Sequence, residues 1–253
     1  MKKIFAWMLV PVLLAACGKT PDPEPEPEIP NGTYMTGSVM STYMSRAMSY
    51  SVWLPGNYDE TKTYPFLYLL HGYGDDHLSW NSKGGAAKIA DKYLKAGGVP
   101  MIIIMPDALT TFYVEPFEQY MHGELMPEVE AKYHFNGKRA VAGLSMGGFG
   151  TLYYSLKYPT KFTYGYAMSP ATDADGSVAL IKEQSDPSVF PPITIESGTT
   201  DGTIPIAKVR EYVAVLKENG VAVNFIERSG GHDWSFWPVC LQKALTAVGE
   251  TFK

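Results

Sequence analysis

Short, largely apolar runs alternate with amphipathic helical stretches along most of this chain, and that alternation is the strongest constraint on its fold. The runs are 65–70, 101–105, 140–142, 164–168, 193–196 and 223–226. Helical patterns at 86–94, 117–133, 206–216 and 237–252 lie between and after them; in the second, Met121, Leu125 and Val129 share one face. A strand apolar on both sides must be covered on both faces. Such strands alternating with helices predict an α/β fold with a mostly parallel sheet and helices packed on either side. Residues 42–54 alternate instead, and with the segment before them read as an antiparallel hairpin. No internal repeat breaks the pattern, so 31–253 is expected to form one domain.

The first thirty residues belong to a different regime. Lys2 and Lys3 precede an apolar stretch, 4–14, too short to span a bilayer, which ends in Leu14-Ala15-Ala16-Cys17. This is a secretory signal pattern. Its order also resembles the bacterial lipoprotein signal, which implies cleavage before Cys17 and lipidation of its thiol; an ordinary cleaved signal peptide is the alternative. Residues 1–17 are thus read as a signal and 18–30 as a linker. In the linker, 21–28 alternates proline with acid, a composition that stays extended and unpacked. The expected placement is outside the cytoplasm, anchored by lipid to the bacterial envelope at the outer membrane or cell surface. The only other cysteine, Cys240, lies in an apolar helical pattern and reads as a core thiol. A formal charge of −5 with no basic stripe argues against a nucleic-acid partner.

The chemistry concentrates at strand ends. Gly143-Leu144-Ser145-Met146-Gly147-Gly148 follows the run at 140–142 and precedes a helical stretch at 151–157. Alone, G-x-S-x-G is a common accident. Between a strand and a helix it reads as a sharp turn that lifts a serine hydroxyl clear of the sheet. Serine needs a base, and the base an orienting carboxylate. His232, flanked by Gly230-Gly231 after the last strand, is the candidate base; His71, at an earlier strand end, is its nearest competitor. Asp201, after the run at 193–196, is the candidate acid, with Asp173 and Asp175 as competitors; Asp233 adjoins the histidine too closely. The backbone amides of Met146 and of Tyr73, in His71-Gly72-Tyr73-Gly74, are the expected oxyanion donors. Trp80, Trp234, Phe236 and Trp237 are candidate platforms for a phenolic or sugar ring, with core packing as the competing use. Nothing in this chemistry calls for a metal or cofactor.

Taken together, Leu70-His71-Gly72-Tyr73-Gly74 with Trp80, 143–150, Gly198-Thr199-Thr200-Asp201 and Gly231-His232-Asp233-Trp234 resemble the esterase D / feruloyl esterase family of α/β-hydrolases, similar to carbohydrate esterase family 1. The resemblance runs in order over nearly the whole domain. It implies an α/β-hydrolase fold, a Ser145–His232–Asp201 triad, oxyanion amides at Tyr73 and Met146, and an ester-bearing polysaccharide or oligosaccharide as substrate, with feruloyl or acetyl groups on xylan foremost. A siderophore or small acyl ester is the alternative substrate, and a glycan-binding lipoprotein without turnover the alternative class. Two features depart from the family pattern. Pro170, in Met168-Ser169-Pro170, stands where relatives carry glycine and is expected to reshape the pocket floor, and the short segment 170–191 predicts at most a small lid.

Overall fold

The computed structural model describes residues 28–253. Cys17 and linker residues 18–27 lie outside the described residues. The chain joins the packed structure at Ile29, two residues before the expected boundary, where its side chain rests on the core.

Eight strands form one sheet: β1 (Thr33–Ser41), β2 (Arg46–Leu54), β3 (Tyr64–Leu70), β4 (Ile102–Pro106), β5 (Phe135–Leu144), β6 (Tyr164–Met168), β7 (Ile193–Gly198) and β8 (Val223–Arg228). Their order is β1-β2-β4-β3-β5-β6-β7-β8. The first two pairings, β1 on β2 and β2 on β4, are antiparallel, and every other pairing is parallel. The expected hairpin is present, but its second strand begins at Arg46 rather than Thr42. Thr42 instead enters the turn, where its amide donates to Glu124 Oε1 (2.9 Å), and Ser45 takes a positive φ of 53°.

Every residue of β3, β4 and β7 is buried; β3 and β4 are apolar almost throughout, whereas β7 also buries Thr194, Glu196 and Ser197. Successive side chains on a strand point to opposite faces. Phe66, Tyr68 and Leu70 therefore join one core with Ile102 and Ile104, while Leu67 and Leu69 join a second core with Ile103 and Met105. The second core is roofed by α2 (Ala86–Lys95) and α8 (Trp237–Phe252). On α2, Ala86, Ala90 and Leu94 recur every four residues and make its buried stripe.

The first core is covered by the helical rod at 117–132. This rod departs from the expected single helix: α3 (Phe117–Tyr120) and α4 (Met126–Lys132) flank a π-helical turn at Met121–Leu125. Pro127 opens α4, and a proline nitrogen donates no helical hydrogen bond, so the winding changes just ahead of it. After β5, α5 (Met146–Lys157) begins at once, five residues earlier than the sequence pattern suggests. The segment 170–191 is not a bare loop. It contains α6 (Ala174–Lys182), capped by Asp173, whose Oδ1 accepts from the Gly176 amide at 3.0 Å. With α7 (Ile206–Glu218), α6 encloses a third apolar cluster around Leu152, Leu156, Ile195 and Val213. A short helix, α1 (Ser79–Ser82), completes the set.

Candidate active site

The parallel strands end on one edge of the sheet, and in open α/β sheets that edge carries the site. Ser145 stands at the tip of β5 with φ 52° and ψ −113°, a strained conformation for a residue with a β-carbon. Tight neighbours impose it. A β-carbon on Gly143 would collide with the carbonyl of Gly147, and one on Gly147 with the carbonyl of Leu70. The turn is tied down by the Ser145 amide, which donates to Met168 O at 2.8 Å.

Three residues far apart in sequence meet at this tip. His232 Nε2 lies 2.9 Å from Ser145 Oγ, and His232 Nδ1 lies 2.8 Å from Asp201 Oδ2. A carboxylate on Nδ1 makes that nitrogen the N–H donor, so Nε2 presents its lone pair to the serine hydroxyl. The Asp201 side chain is fully buried. Its other oxygen, Oδ1, accepts from the amides of Thr203 (2.9 Å) and Ile204 (2.8 Å), which fix the carboxylate in rotation. The competitors are used elsewhere: Asp173 caps α6, and Asp233 Oδ1 accepts from the Ser235 amide, shaping the turn after His232.

The His232 loop is held at both ends. The Gly230 carbonyl accepts from the amide (3.1 Å) and hydroxyl (2.8 Å) of Thr200, which joins it to the Asp201 loop. At the far end, Arg228 Nη2 donates to Phe236 O (2.9 Å), and its guanidinium lies over the Phe236 ring at 3.7 Å. Arg228 Nε also donates to Glu196 Oε1 (2.9 Å), a buried carboxylate on β7 that Lys243 Nζ reaches at 2.7 Å. Burial works against the Glu196 carboxylate, but the hydrogen bonds from Lys243, Tyr166 and Arg228 outweigh it and hold its carboxyl below the usual range.

The loop after β3 lies against the serine: a β-carbon on Gly72 would sit 3.5 Å from that of Ser145. The Asp75 amide donates to Gly72 O (3.2 Å) across a turn with Gly74 in the left-handed region. Among the described residues, the Tyr73 and Met146 amides donate to no protein acceptor. His71 anchors this loop. It is buried, its Nδ1–H donates to the Gly72 carbonyl (2.8 Å), and its Nε2 accepts from the Ala108 amide (2.9 Å). Burial pushes its pKa down. The Tyr113 hydroxyl donates to the His71 carbonyl at 2.9 Å, and that of Tyr154 to the Tyr113 carbonyl at 2.7 Å. Sequence reasoning set His71 beside His232 as a possible base, whereas its position is that of a loop anchor.

The packing corrects two of the aromatic candidates, Trp80 and Phe236. Trp80 is fully buried, with its indole N–H on the Leu70 carbonyl (2.9 Å), and Phe236 is buried beneath Arg228. Neither reaches solvent. Trp234 is half-buried and meets both Trp80 (5.3 Å) and Trp237 (5.2 Å) edge to face; Trp237 in turn packs on the His232 ring (5.1 Å). These tryptophans back the histidine from inside. Pro170 is buried against Gly148, under the first turn of α5. Cys240 is buried, and its thiol is pushed up to about 12, first by burial and then by the nearby Glu196. Tyr73 and Phe112 are exposed and Phe149 is half-buried, with Phe112 between the other two rings at 6.0 and 5.9 Å; none of the three was expected as a ring platform. Phe149, one helical turn after Ser145, was the one with a readable signal.

Comparison with known proteins agrees with this fold. Residues 41–248 match the Esterase family, described as "Putative esterase". An endo-1,4-beta-xylanase/feruloyl esterase of Xylanibacter ruminicola is 28% identical over 240 residues, covering 87% of this chain and 32% of the relative, so the chain spans about a third of that protein. An acetyl esterase of Caldicellulosiruptor saccharolyticus is 25% identical over 215 residues, 68% of this chain and 78% of its own. Among solved structures, a ferulic acid esterase superposes with a TM-score of 0.80 at 26% identity, covering 88% of this chain and 99% of that one. A ferulic acid esterase from Anaeromyces mucronatus, at 22% identity and TM-score 0.74 over 88% and 92% of the two chains, shares the fold. With four-fifths of its length matched, and with an α/β-hydrolase sheet carrying a serine, histidine and aspartate in hydrogen-bonded line, the chain belongs to the Esterase family.

Proposed function

We propose that this chain is a serine carboxylic-ester hydrolase that removes feruloyl or acetyl groups from xylan. The observation that carries the reading is the unbroken hydrogen-bonded line Asp201–His232–Ser145 at a strained strand-to-helix turn. Ser145 Oγ attacks the ester carbonyl carbon while His232 Nε2 takes its proton. The carbonyl oxygen gains the negative charge and lies against the Met146 and Tyr73 amides. Collapse of the tetrahedral intermediate expels the sugar oxygen, which takes the proton from His232 and leaves an acyl-serine. Water, deprotonated by His232, then releases the acid and restores Ser145. Asp201 keeps the imidazole in the right tautomer and stabilises its cationic form.

The polysaccharide substrate is supported by the Xylanibacter relative, whose name joins a xylanase to a feruloyl esterase, and by the acetyl esterase of Caldicellulosiruptor. The lipid anchor at Cys17 and the surface location belong to the same proposal, since an envelope-tethered hydrolase meets polymer that cannot enter the cell. The test is a panel of methyl ferulate, acetylated xylan and a short p-nitrophenyl ester, run with the wild type and Ser145→Ala. Loss of kcat on the order of 10⁶ in the variant is expected. Turnover surviving the substitution would sink the mechanism, and a wild type inert on all three would favour a glycan-binding role. For the anchor, Cys17→Ser is expected to move the protein from the membrane to the soluble fraction, and unchanged fractionation refutes lipidation.

A further inference from the structure

The turn after β3 places two acids side by side, and the fold uses the two differently. Asp76 Oδ1 accepts from the Leu78 amide and the Ser79 hydroxyl, both at 2.9 Å, and so shapes the entry to α1. Asp75 Oδ1 meets Lys83 Nζ at 2.5 Å. Asp75 Oδ2 accepts from no protein donor among the described residues, yet it is not shut away from water. This free oxygen stands close to the nucleophile. The point that a β-carbon on Gly72 would occupy is 3.5 Å from the Ser145 β-carbon and 3.6 Å from Asp75 Oδ2. A group the size of an ester therefore spans from Ser145 to this carboxylate.

A carboxylate here works against the reaction unless something cancels it. The tetrahedral intermediate carries its negative charge against the Met146 and Tyr73 amides, and like charges this close repel in a partly solvated site. Lys83 supplies the cancelling charge. Its side chain is 49% exposed, its hydrogen bond to Asp75 raises its pKa, and it makes no other hydrogen bond or ion pair among the described residues. The rest of its N–H groups are free to donate. A partly exposed ion pair adds little to stability. A pair that adds little to the fold, and whose acid alone opposes the chemistry, makes sense as part of a binding site.

Its position selects the part of the substrate that it meets. Gly84, next to Lys83, lies against Trp234: a β-carbon there would sit 2.7 Å from the ring. Trp234 is two residues from His232, the group that protonates the departing alcohol. Asp75 and Lys83 therefore flank the nucleophile on the alcohol side of the bond. We propose that they form an alcohol-side subsite for a polyol. Asp75 Oδ2 accepts from a sugar hydroxyl near the esterified oxygen, and Lys83 Nζ donates to a further oxygen of the same sugar. This inference rests on the esterase reading and goes beyond it by naming the residues that read the sugar. The subsite does not depend on the acyl group, and it favours a sugar ester over the same acid on a simple alcohol.

The test compares esters that share an acyl group, as ratios of kcat/KM. One pair is a mono-feruloylated methyl arabinoside over methyl ferulate; the other is a mono-acetylated methyl xyloside over p-nitrophenyl acetate. In whichever series the wild type turns over, Asp75→Ala is expected to lower the ratio about tenfold or more, the loss of a hydrogen bond to a charged group. Asp75→Asn keeps an acceptor and is expected to fall between. Lys83→Met removes the second contact and is expected to lower the ratio about three- to tenfold. A structural role would lower both members of a pair alike. A ratio within twofold of wild type in Asp75→Ala or in Lys83→Met would therefore overturn the two-residue subsite, whatever the change in absolute rate. So would a wild type that hydrolyses a simple ester but neither sugar ester. A wild type inert on all four esters overturns the esterase reading itself, and the subsite with it.

Discussion

Removing the Arg228 side chain separates what holds the His232 loop from what holds the fold. Arg228→Ala deletes a charge-assisted hydrogen bond to buried Glu196, a second to the Phe236 carbonyl, and the stacking of the guanidinium on the Phe236 ring. The two bonds are worth about 1.5–3 kcal/mol each and the stacking about 0.5–1 kcal/mol. The arginine side chain is 27% exposed, and water recovers part of this, while Lys243 stays on Glu196. The net cost is then about 3–4 kcal/mol, the range for breaking a buried ion pair. At about 2–4 °C per kcal/mol, Tm falls by roughly 6–16 °C. The catalytic effect is separate. With its far end untied, the loop carries His232 away from Ser145 Oγ, and a displacement of about 1 Å costs about 100-fold. Steady-state kinetics well below the variant's Tm is expected to show kcat down about 10- to 100-fold with KM little changed. Arg228→Lys, which keeps the charge but loses the planar fork, is expected to fall between. A kcat within twofold of wild type alongside the lower Tm would refute the clamp and leave Arg228 a stabilising residue only.

Asp201→Asn keeps the shape of the acid but favours the wrong imidazole tautomer, so kcat is expected to fall about 10⁴-fold with a native circular-dichroism spectrum; a loss under tenfold would count against Asp201 as the orienting carboxylate. His122 is held neutral down to about 3, first by burial and then by Lys161, whereas the unfolded chain binds that proton near pH 6.5. The unfolded state therefore carries more protons below that pH, and this residue costs stability as pH falls, about 2 kcal/mol at pH 5. His122→Phe should gain more Tm at pH 5 than at pH 8, and equal gains would contradict the assignment. Ser169 has φ 42° and, among the described residues, a buried hydroxyl with no partner. Ser169→Gly is expected to raise stability by about 1 kcal/mol by denaturant titration, and a loss would show that the hydroxyl is satisfied after all.

Much of the sheet was legible because strands buried on both faces leave a plain mark. Residues 65–70 and 101–105 are apolar throughout, and they are the fully buried β3 and β4. The edge strands were less so. β1 is mostly exposed, and its register with β2 is set by a turn at Thr42–Ser45 that carries no glycine. α6 leaves little mark in the sequence because its apolar residues run together at 178–181 rather than recurring at helical spacing, and the residues it buries are Ser177 and Ile181; the Asp173 cap is its one local signal, and that aspartate reads equally as a candidate catalytic acid. Ser145, His232 and Asp201 were readable from glycine-rich turns following strands. What no sequence pattern conveys is which aromatic faces outward. Trp80, ten residues after Leu70, looked available, yet its indole is spent on the Leu70 carbonyl. Phe112 owes its exposure to a positive φ that only the folded Tyr113–Tyr154 contacts sustain.

The hydrogen bonds at the strand tips explain how so much strain can be concentrated there. The Ser145 amide donates to the Met168 carbonyl, and the Ala171 amide returns to the Ser145 carbonyl, joining the ends of β5 and β6. The Ser169 amide then donates to the Glu196 carbonyl, joining β6 to β7, and the Glu196 side chain reaches Arg228 at the end of β8. A left-handed serine costs on the order of 1–3 kcal/mol, and two stand side by side here, at 145 and 169. Neither cost is met by its own residue. It is offset by bonds from the adjacent strand, so the tips of β5 to β8 hold their geometry as one unit. That unit contains the serine, leads directly into Asp201, and through Arg228 fixes the loop of His232. The alignment of the three side chains is therefore a property of four strand ends together, and substitutions along this line are expected to combine non-additively in their effect on kcat.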